Sequence, residues 1–324
     1  MDRLSDIVTL PLDDWIEFFV KDWLVPNFRP VFQAIQWPID QVLTGFEAFL
    51  LSIPPLLFLP VAALIAWRIA GRGVAILTFC SVALIDLLGV WQESMTTLAM
   101  IMTSVLFCAL IGIPLGIIAG RSDRFAVGIR PVLDIMQTIP AFVYLVPIVM
   151  LFGVGIVPGI IATIIFALPP IVRLTNLGLR QVPAELVEAG YAFGSTPRQV
   201  LWEIQLPLAL PAIMAGLNQT LMLSLSMVVI AALIGAEGLG QVVFTGIGRL
   251  DVGAAALGGI GIVLIAIVLD RVTQAIGEQS RKPKTAATDR NPRAALRRLI
   301  APLVGGAGTE RQDAEQQNRA SVRD

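Results

Sequence analysis

Residues 183–207 read PAELVEAGYAFGSTPRQVLWEIQLP, and their types and spacing suit recognition of a partner, not bond-making. Pro183 fits the first position of a helix, where its missing N–H and fixed φ cost nothing. Leu186, Ala189, Gly190 and Phe193 recur at i, i+3, i+4 and i+7 and define one apolar face. Glu185 and Glu188 lie early in that helix, where its positive end favours carboxylates. Gly194 supplies a left-handed stop. Thr196, Pro197 and Gln199 read as the N-cap, first residue and reciprocal cap of a second helix. That helix carries Val200, Leu201 and Ile204 towards Leu206 and Pro207. The expected product is helix, sharp turn, capped helix. It could read DNA, pack on its own bundle, or dock a partner. Its one Arg and acidic start oppose a phosphate field, so no nucleic-acid partner is expected.

Groups for catalysis are scarce elsewhere. The chain has no histidine, which removes the commonest general base, proton relay and metal ligand. Cys80 and Cys108 fall inside apolar runs and read as small buried hydrophobes, so neither a disulfide nor a metal site is expected. Its only lysines are Lys21, Lys282 and Lys284, and none follows a glycine. A phosphate-binding Walker A loop needs that Gly-Lys pair, so the chain has no nucleotide site of its own. If transport is driven by ATP, ATP and Mg belong on another polypeptide.

The elements that hold residues 183–207 must lie in a membrane. Of 324 residues, 56% are hydrophobic and only 15% charged, against about 25% charged in a soluble domain. Mean hydropathy is +0.79. Uncharged runs long enough to cross about 30 Å of hydrocarbon predict an all-α integral membrane protein. We read seven spans: Pro54–Ala70, Val74–Trp91, Thr96–Ala119, Pro140–Gly153, Pro158–Val172, Ala212–Ile234 and Val252–Leu269. In the short loops Arg68, Arg72, Arg121, Arg124, Arg130, Arg173, Arg180 and Arg198 fall on one side of these spans, and Arg249 alone on the other. The positive-inside rule makes the arginine-rich side cytoplasmic, with the N-terminus outside and the C-terminus inside. No cleavable signal peptide is read at the N-terminus, and Asp86 is the one charge read well inside a span. Trp15, Phe18, Phe19 and Trp23 recur at i, i+3, i+4 and i+8, as in a helix lying at the membrane interface or on outer loops of the same chain. From Arg281 onwards the tail is basic and is expected to be disordered beyond Leu299.

Glu188-Ala189-Gly190, then Gly194, then Ile204-Gln205-Leu206-Pro207, resembles the EAA loop of ABC-importer permeases. Gly190 stands where that pattern usually has Ala, a small-for-small change. Residues 136–155, 164–175, 217–235 and 238–253 are similar to the permease subunit of glycine betaine/proline betaine importers. The similarity covers roughly Trp91 to Gly277.

That resemblance implies a type-I ABC-importer permease core of residues 92–277 with a cytoplasmic coupling loop at 183–207. Residues 1–52 then form an outer tail, 53–91 accessory helices, and 278–324 a basic cytoplasmic tail. It also implies ATPase subunits docked at the loop, an extracytoplasmic substrate-binding protein, and a second permease copy forming a homodimer in membrane lipid. Glu188 would fix the loop by polar contacts, Gly194 would permit its turn, and Ile204, Leu206 and Pro207 would anchor it to the bundle. Phe142 and Tyr144, beside Pro140 and Pro147, are candidates to line the pathway, since aromatic faces bind quaternary ammonium groups. Lipid contact or packing is the other reading of that pair. Choline or carnitine are alternative substrates. A secondary transporter is a more distant alternative, for which neither a mid-membrane coupling group nor an internal repeat is found.

Overall fold

Backbone polar groups in hydrocarbon have no water to bond, so the apolar runs must be helices. The computed structural model describes residues 25–281 together with 15, 18, 22 and 23. The expected interfacial helix around Trp15, Phe18, Phe19 and Trp23 falls largely outside the described residues, and the tail beyond Arg281 wholly so. Of the two units Met1–Gln279 and Ser280–Asp324, the fold concerns the first. Every regular element among the described residues is helical. In chain order these are α1 (Val25–Ser52), α2 (Pro55–Ala70), α3 (Arg72–Leu87), α4 (Trp91–Arg121), α5 (Asp123–Thr138), α6 (Leu145–Phe152), α7 (Ile156–Arg180) and α8 (Ala184–Ala192). They are followed by α9 (Pro197–Ile234), α10 (Leu239–Gly248) and α11 (Val252–Arg281).

Among the described residues, four helices are long and apolar enough to cross a membrane: α4, α7, α9 and α11. A fifth crossing arises if α1 from Pro30 and α2, which meet at 107°, count as one broken span. The expected count of seven is therefore not reached by length. The 16 residues of α2 and of α3 rise about 24 Å each, and α6 has only eight residues. Apolar composition marked these segments as spans, but Gly71 and the break at 139–144 cut them short. Conversely, α7 continues to Arg180, so Arg173 lies within a membrane helix and not in the loop after it. Asp270 likewise lies inside α11, so Asp86 is not the only charge within an apolar helix. Residues 25–52, read as part of an outer tail, form α1. Its Ile39, Leu43 and Leu50 pack in one cluster with Met95, Ala99, Met100 and Ile160.

The centre of the bundle is α7, whose most apolar window is 72% buried, against 33% for α4 and 17% for α11. Lipid tails are as apolar as leucine, so helices meet through close backbone approach at small residues. Gly112, Gly116 and Gly120 of α4 lie against Ile171, Thr175 and Leu179 of α7, three parallel rungs one helical turn apart. Across the antiparallel contact with α9, Gly178 meets Ala209 and Ala212, and Gly216 meets Ile171 and Leu174. Within α7, Pro169 and Pro170 are both buried. Several buried hydroxyls bond within their own helix: Thr103, Ser104, Thr163 and Ser224 each donate to the carbonyl four residues earlier, whereas Thr220 donates across to Ala167 at 3.0 Å and Thr78, Ser94 and Thr175 have no partner among the described residues. A Cβ at Gly116 would lie 2.5 Å from Cβ of Thr175 and 2.9 Å from the Val172 carbonyl, whereas one at Gly128 meets nothing within 4 Å. Gly116→Ala is therefore expected to cost about 1–3 kcal/mol by overpacking. Thermal unfolding in detergent should show a lowered midpoint for that variant and no loss for Gly128→Ala.

Candidate functional site

Both termini of the 183–207 element are built from local bonds. α8 opens after Pro183, which stands at the N-cap and not inside the helix as its sequence suggests. At the other end Gly194 has φ +83. The Gly194 N–H donates to Tyr191 O at 2.9 Å and the Ser195 N–H to Gly190 O at 3.1 Å. These paired bonds close a Schellman turn, which a left-handed glycine makes without steric cost. Thr196 then caps α9: its N–H donates to Gln199 Oε1 at 2.8 Å, and its Oγ1 accepts from the Gln199 N–H at 3.4 Å. Pro197 is the first helical residue. Residues 200–205 of α9 wind as a wider π turn before Pro207. A proline ring clashes with the carbonyl four residues earlier, here that of Glu203, and the wider turn relieves the clash.

The two short helices are locked by one contact. A Cβ on buried Gly190 would stand 2.6 Å from Cδ1 of Ile204, so the Ile204 tip fills the space an alanine methyl would take. Exchange of Ala for Gly here is thus not neutral to packing: it admits Ile204 against the α8 backbone. Leu201, Leu206, Ala209 and Ile213 of α9 join Leu179 of α7 and Ile113 and Ile117 of α4 in one cluster, which fastens the element to the bundle. Pro207 is exposed and acts through backbone shape. Ala189 and Glu188 are exposed, and Glu188 makes no hydrogen bond or ion pair among the described residues, so its carboxylate faces outward instead of tying the loop down. The apolar face read across Leu186 to Phe193 is only partly covered: Leu186 is 45%, Phe193 91%, and Trp202 of the second helix 67% exposed.

At the same end of the bundle, Arg180 Nη2 donates to the Ala119 carbonyl at 3.0 Å and pairs with Asp123 at 2.7 Å. Roughly 40 Å away along α4, at its Trp91 end, lies a cavity of about 470 Å³. Glu47, Glu93, Glu237, Asp251, Arg249 and Gln241 are among its lining residues. Thr97 pins the near wall by accepting from the Leu239 N–H at 2.8 Å and donating to Glu93 O at 2.7 Å. This acid-rich mouth was not foreseen, because its residues come from three separate stretches of sequence. Neither Phe142 nor Tyr144 is among the residues lining this cavity. Phe142 is 61% exposed, while the Tyr144 hydroxyl donates to Met136 O at 3.0 Å and Ile139 O at 3.1 Å, closing the end of α5. Among the described residues, no group of His, Cys, Asp or Glu could hold a metal ion.

Comparison with known proteins fits this architecture. Residues 112–282 match the family model described as binding-protein-dependent transport system inner membrane component. The chain is 58% identical over 272 residues to the glycine betaine/proline betaine transport system permease protein ProW of Escherichia coli, covering 84% of this chain and 77% of that protein. It is 46% identical over 276 residues to the glycine betaine transport system permease protein OpuAB of Bacillus subtilis, covering 85% and 96% respectively. A chain of the MetNI methionine ABC transporter in an inward-facing conformation superposes with a TM-score of 0.51 at 25% identity, over 59% of this chain and 94% of that one. With its apolar helices around α7 and a family match spanning α4 to α11, this multi-pass inner-membrane chain belongs to the binding-protein-dependent transport system family of ABC-importer permeases.

Proposed function

We propose that the chain is the transmembrane subunit of an ATP-driven importer of glycine betaine, proline betaine or a related quaternary amine. The observation that carries the proposal is continuity. The capped turn at Thr196 and the membrane-crossing part of α9 are one helix of 38 residues, Pro197–Ile234. A push on its exposed end is transmitted through the bilayer without a hinge loop. Phe193, Leu186 and Trp202, apolar and exposed on this element, supply the surface that a soluble ATPase would cover. Names of relatives at 58% and 46% identity support the substrate class.

In this reading residues 183–207 lie in the cytoplasm, with the N-terminus outside and the C-terminus inside. Two identical copies enclose the passage, and each loop engages one ATPase subunit that carries the ATP and Mg. ATP-driven closure of the ATPases moves α8 and α9 as a rigid pair and switches the passage between outward and inward access. A binding protein delivers substrate at the outer end, where the acid-rich mouth opens. Glu188 contributes an outward carboxylate for the partner, while Gly190, Gly194, Thr196 and Gln199 hold the element's shape.

Uptake in proteoliposomes tests the reading. Radiolabelled glycine betaine should accumulate only when the ATPase, ATP and binding protein are all present; accumulation without ATP would indicate a secondary transporter or channel instead. Gly194→Asp should abolish uptake while membrane insertion stays intact, because the left-handed turn disfavours a side chain and a new charge enters the docking face; normal uptake by that variant would sink the docking assignment. Thr196→Ala removes the cap and should cost about 1 kcal/mol locally. Hydrogen exchange should then accelerate across residues 196–203 and stay unchanged in α4.

A further inference from the structure

Charged side chains on membrane helices need water, a counter-ion or both. Arg173 stands seven residues before the end of α7, roughly 10 Å from its cytoplasmic terminus at Arg180. Its Nη2 lies 2.5 Å from Asp134 of α5, and its Nη1 donates to Gln137 at 2.8 Å. On α5, Asp123, Arg130, Asp134 and Gln137 recur at i, i+7, i+11 and i+14 and so share one stripe. That stripe borders the face where Ala126 and Leu133 are buried. On α7, Arg180 extends the contact downward by pairing with Asp123 of α5 at 2.7 Å, and is steadied within its own helix by Asn176 at 2.7 Å. The two helices thus meet along a polar seam that begins at the cytoplasmic end and climbs into the span.

Packing does not require this seam, because Leu133 already sits among Leu168, Ile171 and Val172 of α7. Nor is it covered: the side chains of Arg173 and Asp134 are 44% and 63% exposed. Hydrocarbon cannot solvate them there. On the other sides of α5 the large exposed apolar residues are Val127, Val132 and Ile135, which suit lipid, with Arg124 beside them only in the first turn.

We propose that the α5–α7 seam, centred on Asp134 and Arg173, lines the cytoplasmic half of the solute passage. This rests on the importer reading and deepens it by naming which face meets the solute. A carboxylate and a guanidinium side by side suit a solute that carries both charges. Its carboxylate can replace Asp134 on Arg173 while its cation faces the freed Asp134, so no charge crosses unpaired.

Single cysteines in the full chain, assembled with its ATPase, provide the test. Cys80→Ser removes the exposed native thiol, while Cys108 is buried. Inside-out vesicles are treated with a membrane-impermeant thiosulfonate bearing a trimethylammonium head. Asp134→Cys and Arg173→Cys should react at least ten-fold faster than Val132→Cys and Ile135→Cys. Gln137→Cys, which leaves the ion pair in place, should match the fast group. Equal rates at all five positions, or no reaction at 134, 137 and 173, would overturn the proposal. Labelling is read without transport, so loss of the importer reading would show separately, as failure of the unaltered assembly to take up glycine betaine.

Discussion

Backbone-to-backbone approach along α7 is the contact on which the rest of the molecule depends. No water-driven force gathers helices inside a bilayer, so their association relies on dispersion and on how closely two helices can approach. The three-rung ladder from Gly112 to Gly120, and the opposing contacts of Gly178 and Gly216, set that distance on two sides of one helix. α4 and α9 are thereby fixed relative to each other without extensive direct contact. The acid-lined cavity hangs on the start of α4, and the 183–207 element on the start of α9. Both therefore take their position from the same central strut.

Polar groups then decide which parts of this framework are rigid. Thr103, Thr163 and Ser224 inside the bundle donate to carbonyls of their own helices, while Thr97 and Thr220 tie neighbouring helices together. In the 183–207 element the bonds are of another kind. The turn at Gly194 and the box at Thr196 bond the N–H groups of Gly194, Ser195, Thr196 and Gln199 locally, so this corner takes its shape from its own residues. A loop that relied on the bundle for its polar contacts could not present Phe193 and Trp202 so openly. Glu188 fits the same pattern, since a carboxylate with no partner at home remains available to another chain.

Local chemistry was the legible part of this sequence. Thr196, Pro197 and Gln199 announce a capped helix because capping needs only residues three apart, and Gly194 announces a turn because few residues accept positive φ. Helix class was legible for a similar reason. Span boundaries were not, because composition cannot tell an apolar helix of 16 residues from one that crosses. Arg173 was misplaced by that ambiguity: a charge was taken as the end of a span, when Asp134 and Gln137, some 36–39 residues earlier, shield it within α7. The partnership of Gly190 with Ile204 and the gathering of Glu47, Glu93, Glu237 and Asp251 were equally hidden, since both depend on elements brought together only by folding.

The paired prolines of α7 have a mechanical consequence. Pro169 and Pro170 offer no N–H, so the carbonyls of Ile165 and Phe166 lack their α-helical donors midway along the most enclosed helix. Its outer and inner halves are joined by covalent chain and side-chain packing more than by the backbone ladder. Resistance to bending is therefore lowered where the strut passes between α4 and α9. Torque applied at the Arg180 end can tilt the lower half while the upper half keeps its grip, so the helix that sets the spacing of the bundle also contains its softest joint.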